Sequence, residues 1–162
     1  MREFESLGFY NAGRQAGASQ PHKHLQIVPL PLERDGAALP LEAPLEPLRQ
    51  VQGLCRIPAF GFRHVFSWID PASLEPGALH ALYLRMLSAA GLSGDRTRQT
   101  GPYNLVLTRR WMLLVPRSKE HFGPVSVNAL GFAGSLFVRG EEQMQALRSA
   151  GPMAVLAAVA GV

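Results

Sequence analysis

His22, His24 and Gln26 are separated by single residues, Lys23 and Leu25, so on an extended chain all three side chains leave the same face. Successive members then stand about 6.6 Å apart. A row of three polar groups is costly on a buried face unless something binds there. A neutral imidazole is a usable nucleophile toward phosphorus near neutral pH, because its ordinary pKa is about 6.5. Attack through one ring nitrogen requires the other to carry the proton and to be oriented, commonly by a carbonyl. The residues just before the row include Gly17, Ala18 and Ser19, small enough to let backbone N–H groups and a hydroxyl approach a phosphate closely. Gln26 offers an amide donor and acceptor that could hold a phosphate or a leaving group in line.

Other chemistries compete for the same residues. A His-x-His pair on a strand is also met as a surface feature or as a fragment of a metal site. Zinc would need two more ligands, and His64, His80, His121 and Cys55 follow no common zinc spacing. Hydrolysis through Ser19, a histidine and an acid such as Asp70 is conceivable, but the chain has no Gly-x-Ser-x-Gly elbow.

The elements that must carry these residues follow from periodicity and breakers. Residues 1–7 read as the tail of a helix turning into a short strand around Gly8-Phe9-Tyr10. Loop formers Gly13, Gly17, Ser19 and Pro21 follow, then a strand over about 22–29. Residues 33–61, with Pro40, Pro44, Pro47 and Pro58, read as a long irregular excursion with one helical turn around 46–52. Alternation over 62–68 predicts a strand, and the spacing of Leu79, Leu82, Met86, Leu87 and Ala90 predicts a helix stopped by Gly91. A surface loop over 93–101 leads to strands over 103–108 and 111–116, joined at Arg109-Arg110 as a hairpin with a solvated tip. A further strand is expected over 135–138, then helices from Glu141, with acids in its first turn, and from Pro152. Trp111 and Met112 read as core, and His64 as a structural histidine. The reading is α+β, an antiparallel sheet flanked by helices, over a single domain of residues 1–162.

Composition bounds the function. The chain has 162 residues, 47% hydrophobic and 17% charged, enough apolar material for a core. No apolar run is long enough to span a bilayer, and the charges at Arg2, Glu3 and Glu5 do not fit a secretory signal. Cys55 is the only cysteine, so no intrachain disulfide forms and a cytoplasmic location is expected. The net charge of +4 is spread along the chain and not gathered into the patch or stripe that nucleic acid requires. The expectation is therefore no nucleic-acid or membrane partner, and a nucleotide or polyphosphate ligand accounts for the basic bias.

The run Phe9-Tyr10-Asn11-Ala12-Gly13, then Gly17-Ala18-Ser19-Gln20-Pro21-His22-Lys23-His24-Leu25-Gln26 and Pro29-Leu30-Pro31-Leu32, resembles the ATP adenylyltransferases, or diadenosine tetraphosphate phosphorylases. These lie in the galactose-1-phosphate uridylyltransferase branch of the histidine-triad superfamily, which writes its triad His-x-His-x-Gln. Tyr103-Asn104-Leu105, Thr108, Trp111-Met112, Val115-Pro116-Arg117 and the run 126–134 carry the resemblance through the second half. It implies a histidine-triad-like fold with His24 as the nucleophile, His22 orienting it and Gln26 on the transferred phosphate. It also implies a nucleotide site lined by Asn11, Gly17, Ala18, Ser19, Gln20, Asn128, Ser135 and Arg139. Ser135 and Arg139 stand where fungal members have a methionine and a lysine, and Arg for Lys changes the contact geometry. The implied ligands are diadenosine tetraphosphate, ATP, ADP and phosphate, with magnesium or another divalent ion arriving on the nucleotide and no organic cofactor. Family members run close to twice this length, so leading strands of the sheet, a partner chain or a missing N-terminal half are expected outside the chain. A uridylyltransferase and a non-catalytic nucleotide-binding remnant are the alternatives.

Overall fold

Near-continuous burial along Ser6–Ala12, Tyr103–Leu107 and Trp111–Pro116 gives each of these strands two buried faces. A sheet with helices on both sides follows. The computed structural model of the chain describes residues 3–32, 39–92 and 100–161. Its main sheet comprises β1 (Ser6–Ala12), β2 (Leu25–Pro29), β3 (Val65–Trp68), β4 (Tyr103–Leu107) and β5 (Trp111–Pro116), in the order β2-β1-β4-β5-β3 with every neighbour antiparallel. The α+β antiparallel reading holds.

One face carries Leu7, Phe9, Val106, Trp111, Leu113 and Val115. It is covered by α1 (Glu42–Leu45), α3 (Ala129–Phe132), α5 (Pro152–Val159) and the segment holding Ile57, Phe60 and Phe62. The other face carries Tyr10, Ala12, Leu105, Met112 and Leu114, packed against Met86 and Leu87 of α2 (Pro76–Ala89). A two-stranded ribbon, β6 (His121–Phe122) with β7 (Val125–Ser126), precedes α3. Helix α4 (Glu141–Ala150) has Glu141 and Glu142 in its first turn and Arg148 in its last, both favourable for the helix dipole.

The β4–β5 hairpin turns on Thr108, whose hydroxyl accepts the N–H groups of Arg110 at 3.1 Å and Trp111 at 3.3 Å. That leaves Arg109 and Arg110 in solvent, as expected, and Trp111 and Met112 buried.

Several elements differ from expectation. Residues 6 and 7 belong to β1, because both pair in its ladder with β2, so there is no helix tail among described residues 3–7. The β2 ladder starts at Leu25, opposite Tyr10, and residues 22–24 take no part in it although β1 runs on to Ala12. The helical turn expected at 46–52 falls at Glu42–Leu45 and continues as a 3₁₀ turn over Glu46–Leu48. The strand expected over 62–68 is limited to β3. No strand forms over 135–138. There the Ser135 N–H returns to the Leu130 carbonyl at 2.9 Å, closing the end of α3 instead of joining a sheet. Of the loop expected over 93–101, residues 93–99 lie outside the described part.

His64 shows how one polar side chain is accommodated in the core. It is 2% exposed, and its Nε2 accepts the Ile57 N–H at 2.7 Å. Its Nδ1–H donates to the Phe62 carbonyl at 2.8 Å, which together assign the neutral tautomer. Burial holds its pKa below the usual histidine value, with the Arg56 charge adding to this and the Phe62 carbonyl opposing it. The unfolded chain therefore takes up this proton first as pH falls, and the fold loses stability from about pH 6.5 downward. Urea denaturation at pH 7.5 and at pH 5.5 should show this acid loss. In His64→Phe the contribution of this group to the slope should vanish, and stability at pH 7.5 should fall by about 1–3 kcal/mol as the Ile57 N–H is orphaned.

Candidate functional site

The pairing register builds the site. Gln26 lies opposite Phe9 and Leu25 opposite Tyr10, so His24 comes one step further along, toward Asn11. Asn11 in turn lies opposite Asn104 on β4, and Asn104 opposite Val115 on β5. Phe9 and Asn11 share a face with Gln26, so an apolar surface becomes polar toward one end of the sheet. His22 and His24 stack with ring centroids 5.9 Å apart and planes 27° from parallel.

All three members of the row are exposed. The desolvation penalty expected of a buried polar row therefore does not arise, because β2 is an edge strand with only Val28 and neighbouring Leu30 packed onto the core. Leu25 and Ile27 on the opposite side are likewise exposed.

The loop after β1 is rigid where it meets the rest of the molecule. A 3₁₀ turn over Arg14–Ala16 ends at Gly17 with φ +80°, a conformation that favours glycine. A Cβ at Gly17 would stand 2.9 Å from the Val127 carbonyl oxygen and 3.2 Å from the Asn128 Cα. The glycine thus lets the two loops touch. Ala18 donates its N–H to the Gly13 carbonyl at 3.2 Å, and Ser19 and Gln20 are exposed beyond it.

Asn128 caps α3, its Oδ1 accepting the Leu130 N–H at 3.0 Å. Asn11 Oδ1 accepts the Asn104 amide at 2.7 Å and the Ala129 N–H at 2.8 Å. The Asn104 amide also donates to the Ala16 carbonyl at 2.8 Å. The structure thus brings Asn11, Gly17 and Asn128 together at the end of the face toward which the row points. Ser135 and Arg139 are placed differently. Ser135 is half-buried and Arg139 exposed, in a segment where the Arg139 N–H donates to Gln143 Oε1 at 2.6 Å. Among the described residues, no hydrogen bond or ion pair joins either of them to the triad.

Beneath the junction lies a group whose role the sequence did not announce. Arg117, directly after β5, is 4% exposed. Its Nε donates to the Val159 carbonyl at 3.0 Å. Its Nη1 donates to Asn104 Oδ1, to the Val127 carbonyl at 3.0 Å and more weakly to that of Ala16 at 3.5 Å. Its Nη2 reaches the carbonyls of Lys119 at 2.8 Å and Glu120 at 3.3 Å, and the guanidinium lies 5.4 Å from the Phe132 ring centre. Burial lowers its pKa to about 10, against the pull of the Glu120 carboxylate, so it stays charged at neutral pH. The signals for it were a polar residue ending a strand of six buried positions and an asparagine inside the apolar strand Tyr103–Leu107.

The model of the ATP adenylyltransferase C-terminal domain matches residues 58–161. The chain belongs to the ATP adenylyltransferase family. Residues 1–47, which contain the triad, match the Ap4A phosphorylase N-terminal domain. Among curated relatives, diadenosine 5',5'''-P1,P4-tetraphosphate phosphorylase 2 of Saccharomyces cerevisiae is 27% identical over 87% of this chain and 47% of its own length. Protein APA1 of the same yeast is 29% identical over 83% of this chain and 45% of its own. The chain spans about half the length of these relatives. The crystal structure of yeast Ap4A phosphorylase Apa2 with AMP aligns at a TM-score of 0.69 and 26% identity, over 90% of this chain and 51% of that one. The structure with Ap4A aligns at 0.73 and 23%, over 95% and 53%, and shows the shared fold. Among the described residues no three His, Cys, Asp or Glu gather as a metal site would need, and no helix is long and apolar enough to cross a membrane.

The Asn11 contacts generate a sharp test of this geometry. Both of its neighbours are donors to one oxygen, so Asn11→Asp keeps them and Asn11→Leu loses both. By urea denaturation the leucine variant should lose about 1–3 kcal/mol and the aspartate variant less than half of that.

Proposed function

We propose that residues 1–162 carry the histidine-triad-like nucleotidyltransferase domain of an adenylyltransferase that uses His24 as its nucleophile. The observation that carries this reading is the stacked, solvent-accessible His22–His24 pair, set on a strand edge beside the Asn11–Gly17–Asn128 junction. The relatives named as Ap4A phosphorylases support the choice of substrate.

In the first step His24 attacks the α-phosphorus of diadenosine tetraphosphate. A phosphorus–nitrogen bond forms, the bond to the bridging oxygen breaks, and ATP leaves. In the second step an oxygen of inorganic phosphate attacks the same phosphorus, histidine departs, and the adenylyl group leaves as ADP. The reverse sequence joins ATP and ADP and releases phosphate. Two half-reactions through one covalent intermediate give ping-pong kinetics.

His22 orients His24, and Gln26 holds an equatorial oxygen of the transferred phosphate. The loop from Gly17 to Gln20 takes the polyphosphate: the Gly17 and Ala18 N–H groups close its turn on the Arg14 and Gly13 carbonyls, and the backbone at Ser19 and Gln20 beyond them meets the charge that develops in the transition state. Asn128, Ser135 and Arg139 complete the nucleotide site in this reading. Asn11 acts by fixing the Ala129 backbone. A divalent ion, most simply magnesium, enters on the phosphate oxygens, which suits a hard cation that keeps much of its water.

Incubation with α-labelled ADP and magnesium, which runs the second step in reverse and releases phosphate, followed by alkaline quench, should leave acid-labile label on the protein. His24→Asn should abolish it, while Lys23→Ala, on the opposite face, should retain it. A folded parent that acquires no label would refute the proposal.

A further inference from the structure

A buried cation needs a physical explanation, because taking a charge out of water is expensive unless an opposite charge or a dense set of hydrogen bonds receives it. Arg117 has no carboxylate among its hydrogen-bond partners. Every partner is a backbone carbonyl or the Asn104 side-chain oxygen. The nearest acid, Glu120, turns its carboxylate to the Ser126 hydroxyl at 2.8 Å and to His121 at 3.6 Å, and reaches Arg117 by hydrogen bond only through its backbone.

The acceptors of Arg117 are also a particular set. Two of them, Ala16 and Val127, are the residues immediately before Gly17 and Asn128, and those two residues make the loop contact described above. A third, Asn104, holds Asn11, which holds the first N–H of α3.

We infer that Arg117 is a positioning residue for an anionic ligand. Its guanidinium fixes the Gly17 and Asn128 loops from below and presents a positive charge, hydrogen-bonded to no carboxylate, beneath the place where the polyphosphate lies. The inference rests on the nucleotidyl-transfer reading for the identity of that place, but it can be read without turnover. The planar fork is essential to the geometry, since a lysine ammonium offers three donors from one point and cannot reach carbonyls on opposite sides.

Inorganic tripolyphosphate is the probe, because it tests the anion site with neither base nor chemistry. In the parent chain, NMR titration should shift the amides of Gly17 and Ala18 together with the Arg117 Nε–H, which marks the charge itself. Arg117→Gln should weaken tripolyphosphate binding about tenfold, as expected for one unscreened charge removed near a polyanion. Arg109→Gln, which removes the same charge from the exposed hairpin tip, should weaken it less than twofold. Arg117→Lys should keep most of the affinity yet slow labelling of His24 about tenfold with little change in the KM for ADP, a split that a general loss of stability does not produce.

A folded Arg117→Gln protein that binds tripolyphosphate like the parent overturns the inference, as does a parent in which the Gly17 amide shifts and the Arg117 Nε–H does not. Absence of any tripolyphosphate binding by the folded parent overturns it too. If neither Arg117 variant folds, the titration of the parent decides alone. Failure of the parent to label His24 with tripolyphosphate binding intact would count against the transfer reaction and leave the role of Arg117 standing.

Discussion

The guanidinium of Arg117 is the constraint on which the arrangement of loops depends. Four segments, two of them near it in sequence and two far from it, bring backbone carbonyls to it: the turn at Ala16, the stretch at Lys119 and Glu120, the approach to α3 at Val127, and the end of α5 at Val159. Each brings a carbonyl that would be unsatisfied if buried without a donor. Arginine is the side chain that can answer several carbonyls at once, because its N–H groups diverge in a fixed plane. Removing it takes the donor from the Val127 and Lys119 carbonyls, while those of Ala16, Glu120 and Val159 keep others; exchanging it for lysine keeps the charge and loses the directions.

The sheet supplies the second half of the geometry. Antiparallel pairing places residues on β1, β4 and β5 side by side on one face, so Asn11 and Asn104 form a polar end to a surface that is otherwise Phe9, Leu7, Val106 and Leu113. The apolar end is sealed by α5 and the aromatic group around Phe62 and Phe132, whose rings meet edge to face at 5.6 Å. The polar end is left to the loops. Packing therefore fixes the strands, and the asparagine–arginine chain carries that fixity to the loops beside the triad.

Much of this was legible because it depends on short-range periodicity. The β4–β5 hairpin, α2 and the buried Trp111 follow from the alternation, helical spacing and turn residues of their own segments. The shared face of His22, His24 and Gln26 follows from a spacing of two. What the sequence hid depends on partners far along the chain. Asn11 enters the sequence reading only as a lining residue of the nucleotide site, yet the two donors to its Oδ1 lie 93 and 118 positions away. Residues 135–138 have strand composition but no strand to pair with, so backbone closure of α3 decides their conformation. Residues 6 and 7 were misread for the converse reason, since their ladder partners on β2 and not their own propensities make them a strand.

The exposure of β2 shapes how selectivity can arise at such a site. An adenylyl-histidine on an exposed strand edge meets water at far higher concentration than phosphate. Within the described residues burial does not provide the preference for phosphate that the proposed reaction requires, because His22, His24 and Gln26 are all open to solvent. The remaining means is alignment: donors held so that a phosphate oxygen is fixed in line with the departing histidine, raising its effective concentration. Alignment of that kind tolerates little movement, and a glycine turn free in solution would not supply it. The contact of Gly17 with Val127 and Asn128, held from beneath by Arg117, is the feature of this fold that meets the requirement. In the proposed reaction the fixed part of the site is thus the layer under the phosphates, while His24 above it stays accessible.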